Sequence, residues 1–268
     1  MRFGCCIDLN SLLNNDPVFQ AVLAAGYDYI ETQLTRLLEL PPGQYEKVKA
    51  RLVDSGLPCR AAMMIFPYSM PLVSQARDLA GIEAHAEKTL ALAAELGCET
   101  LVFGHGGTRR VPAGMAYDTA RARLLDVLRL LGRQAAPYHL KLAIEPLCDT
   151  NMVVSYPEAA ALARECGGAV GALFDLYHGA ALGQSPMDIA RAPEQLLHLH
   201  IACPGSRSVP SEADDQSPYK AFAEAVKAIG YDDKLSIEAG VPAGADPMRA
   251  IAEGLRVVRK YFSQESVS

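Results

Sequence analysis

Eight times along the chain, a short apolar run gives way to a stretch whose apolar residues recur every three or four positions. This alternation constrains the fold more than any other feature. The short runs are Phe3–Ile7, Tyr27–Thr32, Cys59–Ile65, Thr100–Gly104, Leu140–Glu145, Val170–Asp175, Leu196–Ile201 and Lys234–Glu238. They have strand length, and the helical spacing lies between them. That spacing predicts helices over Pro17–Ala25, Gln44–Ser55, Leu79–Leu96, Thr119–Ala136, Tyr156–Glu165, Met187–Arg191, Tyr219–Ile229 and Pro247–Phe262. Gly26, Gly56, Gly97 and Gly230 stand where a left-handed helix cap is needed.

Strands that alternate with helices pair in parallel through right-handed crossovers. Eight such units predict an α/β fold, a single (β/α)8 TIM barrel, with residues 1–268 forming one domain. The length of 268 residues agrees with the ~250 typical of that architecture. An open doubly wound sheet would need a glycine-rich phosphate loop after its first strand. Here that place holds Asp8-Leu9-Asn10-Ser11, so the barrel is favoured. The tail Gln264–Ser268 is expected to fray.

Composition narrows the function classes. Hydrophobic residues make up 50% and charged residues 21%, enough apolar side chain for a large core and too little charge for a disordered chain. A formal charge of −6 argues against nucleic acid, whose binding rests on phosphate neutralisation by Lys and Arg. The seven cysteines contain no C-x-x-C pair, which suggests reduced structural thiols and a cytoplasmic location. Adjacent Cys5 and Cys6 point to opposite faces of their strand. Met1–Asn10 lacks the apolar stretch of a signal peptide, and no apolar segment reaches the ~20 residues of a membrane span.

The chemistry sits at strand ends. KLAIE closes on Glu145, GALFD on Asp175, LLHLH on His200 and KLSIE on Glu238. By strand alternation Ala143 and Glu145 share one face, His198 and His200 another, and Ser236 and Glu238 a third. Leu142, Ile144, Leu197, Leu199, Leu235 and Ile237 take the opposite faces, toward the helices. In a barrel, the mouth where strands end carries the active site. Three carboxylates and one imidazole converging there suit Mn²⁺, Mg²⁺ or Co²⁺, whereas Zn²⁺ prefers more His and Cys. Glu145 and Glu238, from strands distant in sequence, can flank a substrate as a base and acid pair.

The segments IEPL (144–147), FDLYH (174–178), HLHI (198–201) and SIEAG (236–240) resemble the xylose isomerase-like barrel superfamily. Within it they are similar to the ketose 3-epimerases and related sugar isomerases, hydroxypyruvate isomerase included. The likeness spans essentially the whole chain. It implies that Glu145, Asp175, His200 and Glu238 are metal ligands and that Glu145 and Glu238 transfer protons. It implies that His178 contacts a substrate oxygen. The implied cofactor is a divalent metal, Mn²⁺ first and Mg²⁺, Co²⁺ or Zn²⁺ as alternatives. The implied activity is a sugar isomerase or epimerase acting on a small ketose, keto-polyol or sugar phosphate through a cis-enediolate. A dimer or tetramer follows by the same likeness.

Three positions depart from the ketose epimerase pattern. Asn151 stands where an acidic residue is usual. Ala202-Cys203-Pro204-Gly205-Ser206-Arg207 replaces a Glu-Asn-Arg-like loop. Arg207, the candidate substrate-binding arginine, sits one residue late.

Further candidates lie at other strand ends. Gly104–Arg110 is either a substrate-edge loop using His105 or an Arg, or a turn with solvated arginines. It lacks the phosphate-binding G-x-x-x-x-G-K-[ST] pattern. Glu31 is expected either to bind a sugar hydroxyl or to cap the following segment. Met63–Pro67 either walls the pocket or packs. His198 is expected to orient the site, and His85 and His139 to lie on the surface. A keto-inositol or dehydroshikimate-type dehydratase would use the same ligands. An endonuclease IV-like DNA-repair enzyme would need more histidines than Ser211–Ser217 offers. A sugar-binding regulatory barrel would not need two opposed glutamates.

Overall fold

The apolar runs form strands in chain order: β1 (Arg2–Cys6), β2 (Tyr29–Gln33), β3 (Cys59–Met63), β4 (Thr100–Phe103), β5 (Lys141–Ile144), β6 (Val170–Asp175), β7 (Leu196–Ile201) and β8 (Lys234–Ile237). Each pairs in parallel with the next, and β8 returns to β1 through Gly4 opposite Ser236 and Cys5 opposite Ile237. The result is a closed (β/α)8 barrel. This is a computed structural model that describes residues 1–263, so the expected fraying of Gln264–Ser268 falls outside it.

β6 and β7 keep the sequence-derived bounds. β3 stops at Met63 because Met64 turns to φ +57°, a left-handed conformation that ends the ladder. β5 and β8 end one residue before Glu145 and Glu238, whose amides still donate to Phe103 and Ile201 carbonyls at 3.1 Å each. Both carboxylates therefore leave the sheet at its mouth while their backbones stay tethered.

The helices Pro17–Ala25 and Pro247–Phe262 form over the predicted spans. Asp16 accepts from Val18 and Phe19 amides at 2.9 and 3.1 Å, and Asp246 from the Met248 amide at 3.1 Å, satisfying helix-end donors. The first and last of these helices pack on each other across the barrel seam. Met187–Arg191, expected as a helix, is a 3-10 turn over Pro186–Arg191, too short to carry the longer repeat. Four short helices were not anticipated: Leu9–Asn14, Leu34–Leu38, Gly106–Arg109 and Leu176–Ala181. Among the described residues no helix is long and apolar enough to cross a membrane.

The main core fills the layer between strands and helices, with Leu142, Ile144, Leu199, Leu235 and Ile237 facing the helical shell as alternation requires. A small interior cluster of Val102, Ala143 and Leu173 lies separately, packed by Met63 and Leu197. Leu197 was expected on the shell side. It packs instead beside Gly171, where a Cβ would meet its side chain at 2.4 Å, next to a register shift of β6 against β7.

Lys234, 2% exposed, closes the opposite end of the barrel, bonded to Glu99 at 3.1 Å and Asp233 at 2.8 Å. Arg2 joins the same two carboxylates. Charges on this face serve stability rather than chemistry.

Candidate active site

Glu145, Asp175, His178 and Glu238 offer ligand atoms that all lie within 4.8 Å of one another at the barrel mouth. Cys6, Glu31 and His200 form a second such group. His200 links the two. Its Nδ1 lies 3.2 Å from Glu145 Oε1 and 3.5 Å from Glu238 Oε2, while its Nε2 lies 3.1 Å from Glu31 Oε1. Of the four residues expected to surround an ion, Glu145, Asp175 and Glu238 share one group, which His178 completes, while His200 belongs to the other and touches Glu145 and Glu238.

Glycine makes room for this. A Cβ on Gly104 would stand 2.0 Å from Glu145 Oε2, so the carboxylate lies directly over the end of β4. Beneath Glu145, Arg109 is fully buried and donates to the carbonyls of Phe103 at 3.0 Å and of Glu145 itself. Neither sequence expectation for Arg109, a solvated arginine or a substrate contact, describes it. It is a strut under the strand end that carries Glu145, held by the short helix Gly106–Arg109.

Glu31 also differs from its expectation. It neither caps a helix nor lines the mouth cavity. It is fully buried, accepting from His198 Nε2 at 2.9 Å, His200 Nε2 and Ser236 Oγ at 2.7 Å. Tyr29 completes the layer through its hydroxyl, 2.8 Å from Ser236 Oγ, and can lie across the barrel because Gly4 has no side chain to strike its ring. With Nε2–H committed to Glu31, the Nδ1 edge of His200 faces Glu145 and Glu238, where it donates as the charged ring and can ligate a metal once the ion displaces that proton. Alternation carried the signal: Tyr29 and Glu31 share the inward face of β2.

His178 is fixed by the opposite logic. The Cys148 amide donates to its Nδ1 at 3.2 Å, with the Cys148 thiol 3.1 Å from the same nitrogen. An accepting Nδ1 places the proton on Nε2, which is buried without a partner 3.7 Å from Asp175 Oδ2. His178, which lines the cavity, therefore carries an N–H on the Asp175 side of its ring. Burial lowers its pKa, keeping the ring neutral.

Arg207 reaches Glu238 Oε2 at 2.9 Å and lies over the Tyr177 ring at 5.0 Å. Asn151, the departure from the acidic pattern, brackets Val111 by bonding both its amide and its carbonyl. Met63 and Met64 line the cavity, whereas Ile65 and Phe66 pack inside. His139 is exposed, but His85 is half-buried, with Nε2 3.0 Å from the Ile65 carbonyl.

The electrostatics are those of a site short of positive charge. Burial, then Glu238 and Glu145, push the Asp175 carboxyl up to about 7. Burial opposes charge on His200, but Glu31, Glu145 and Glu238 outweigh it and hold the imidazole well above its ordinary pKa. Burial likewise opposes ionisation of Glu238, and its bonds to His200 and Arg207 reverse the balance and lower it. An oxygen-rich set with one oriented imidazole fits a hard divalent cation. A mouth cavity of about 190 Å³ adjoins these groups, reaching from Glu145, Glu238 and Arg207 past His178 to His105 and Asp149.

Comparisons with known proteins agree with this architecture. The family model described as "Xylose isomerase-like TIM barrel" matches residues 19–261. Among solved structures, the chain is similar to 3-keto-D-glucoside 4-epimerase YcjR from E. coli, with TM-score 0.79 and 24% identity over 97% of this chain and 99% of that one. It is similar to a D-psicose 3-epimerase crystallised in the presence of D-fructose, with TM-score 0.78 and 20% identity over 98% and 99%. An L-ribulose 3-epimerase aligns with TM-score 0.80 and 17% identity over 97% and 94%. No curated protein matches the sequence significantly. At these identities the solved structures establish the fold, and the family model settles membership: the chain belongs to the xylose isomerase-like TIM barrel family.

Proposed function

We propose that the protein is a divalent-metal-dependent sugar isomerase or epimerase acting on a small ketose or keto-polyol. The observation that carries this reading is that Glu145 Oε1 and Glu238 Oε2, from separate strands, both approach the single ring nitrogen His200 Nδ1. The sugar epimerases among the similar structures support it.

Held by Glu145, Asp175, His200 and Glu238, the ion supplies Lewis-acid stabilisation of negative charge on substrate oxygens. The chain's own residues do the rest. Glu238, kept ionised by His200 and Arg207, is the base that removes the proton from the carbon next to the carbonyl. The electron pair of the broken C–H bond moves onto the carbonyl oxygen, giving a cis-enediolate. Glu145, opposite Glu238, gives a proton to the same carbon from the other face for epimerisation; for isomerisation the proton goes to the former carbonyl carbon while the neighbouring hydroxyl passes its proton to the former carbonyl oxygen. Glu238 ends protonated and Glu145 ionised, and exchange with water resets both. His178 Nε2–H orients a substrate oxygen throughout.

The test is incubation with Mn²⁺ and a panel of ketoses in D₂O, read as deuterium gained at the carbon beside the carbonyl. Exchange should vanish after chelation, return with added metal, and fall about 10²- to 10⁴-fold in both Glu145→Gln and Glu238→Gln. Exchange that survives both substitutions removes the proton-transfer roles.

A further inference from the structure

His105 is a buried polar side chain whose bonding capacity the fold does not exhaust. It is 8% exposed, and its one polar neighbour is the Phe66 carbonyl, so at least one ring nitrogen is left without a hydrogen-bond partner. Buried polar groups are nearly always paired, so an unpaired ring nitrogen lining a cavity points to a ligand. Its ring is stacked on Tyr68 at 4.6 Å with an 11° interplanar angle, which sets the plane in which both nitrogens lie. Burial lowers its pKa against the hydrogen bond to the Phe66 carbonyl, and in the neutral ring that bond uses the N–H and leaves the other nitrogen's lone pair. A substrate hydroxyl can donate to that lone pair, whereas an ionised phosphate oxygen cannot.

The charges along the same cavity specify what such a hydroxyl belongs to. Asp149 lies on this wall, its Oδ1 against Gly106, where a Cβ would stand 3.1 Å away. Arg109 is turned inward onto backbone carbonyls. Arg110, outside the lining, donates to the Asp149 carbonyl. Arg207, the cation of the lining, is held by Glu238. A phosphate placed beside His105 would therefore meet a carboxylate and, among the described residues of this lining, no free cation to repay its desolvation. The cavity of about 190 Å³ has room for a small sugar chain.

We propose that His105, oriented by Tyr68 and accompanied by Asp149, reads a neutral hydroxyl-bearing end of the sugar and excludes a phosphate there. This rests on the sugar-isomerase reading above and extends it to the substrate class, an unphosphorylated ketose or keto-polyol.

Two measurements separate the claims. Calorimetry with the unreactive polyol D-glucitol and with D-glucitol 6-phosphate reads the wall without any turnover. The metal-loaded protein should bind glucitol at least about tenfold more tightly than its phosphate. His105→Phe, which keeps the ring stack and removes both nitrogens, should weaken glucitol binding about tenfold. Asp149→Asn should narrow the phosphate penalty, with thermal melts confirming that both variants fold. Should His105→Phe fail to fold, His105→Gln, which restores a donor and an acceptor, replaces it and should retain part of the affinity. Equal binding of the two polyols, no binding of either, or unchanged glucitol affinity in His105→Phe overturns the proposal. Deuterium exchange into free and phosphorylated ketoses is the second measurement. Glucitol selectivity without exchange into any ketose leaves the wall standing and removes the isomerase. Equal exchange into a ketose and its phosphate does the reverse.

Discussion

Glu31→Gln is the substitution that most sharply separates a positioning role from a merely structural one. Glu31 accepts from His198 at 2.9 Å, His200 at 3.1 Å and Ser236 at 2.7 Å, and all four side chains are fully buried. Glutamine has the same shape but one accepting oxygen, so its amide NH₂ must face an imidazole N–H or the Ser236 hydroxyl. His200 then either loses the acceptor for Nε2–H or moves its proton to Nδ1, where it blocks a ligand. Loss of such an outer partner typically costs 10- to 100-fold in metal affinity, about 1.4–2.8 kcal/mol. The unpaired buried donor also destabilises the fold by about 1–3 kcal/mol. Calorimetric Mn²⁺ titration of chelator-stripped protein, beside a thermal melt of the metal-free form, reads both. Ser236→Ala removes one bond to Glu31 but leaves both carboxylate oxygens, and its affinity should fall less than that of Glu31→Gln. Manganese affinity within twofold of wild type in folded Glu31→Gln would refute the positioning argument.

Three other perturbations probe the scaffold. Gly104→Ala places a Cβ 2.0 Å from Glu145 Oε2 and must displace that carboxylate, so deuterium exchange should fall about 100-fold with little change in melting temperature. Arg109→Met strips the donors from the Phe103 and Glu145 carbonyls and should lower stability in urea titration by about 3 kcal/mol or more. At the closed end of the barrel, the bond from Arg2, supported by Lys234, holds the Glu99 carboxyl below its ordinary value. A depressed carboxyl contributes stability above its unfolded pKa of about 4.3 and loses it as pH falls through the lower folded value. Acid melts of Glu99→Gln should therefore run flatter than those of wild type below that point.

What the sequence disclosed, and what it hid, follows from the range over which each signal acts. Period-two alternation placed Glu145, His200 and Glu238 on inward faces because a strand's geometry is local. It equally placed Tyr29 and Glu31 inward. Whether Glu31 would meet sugar or imidazole depended on the β1–β2 and β7–β8 registers, which no single strand encodes. The Gly106–Arg109 helix was hidden because four residues are too few to show a repeat. Arg109 consequently read as a loop arginine, though it supports Glu145 from beneath. Met187–Arg191 showed one turn of helical spacing, which a 3-10 turn satisfies as well. Cys148 gave no signal, since its amide fixes the His178 tautomer only after the chain folds back over 30 residues.

The most direct test of the central claim is a crystal structure of the protein soaked with Mn²⁺, with the ion located by its anomalous scattering. The account expects one peak within ~2.0–2.3 Å of Glu145, Asp175, His200 Nδ1 and Glu238. A peak at the Cys6 and Glu31 side of His200, or no ordered ion among these side chains at saturating metal, would contradict it.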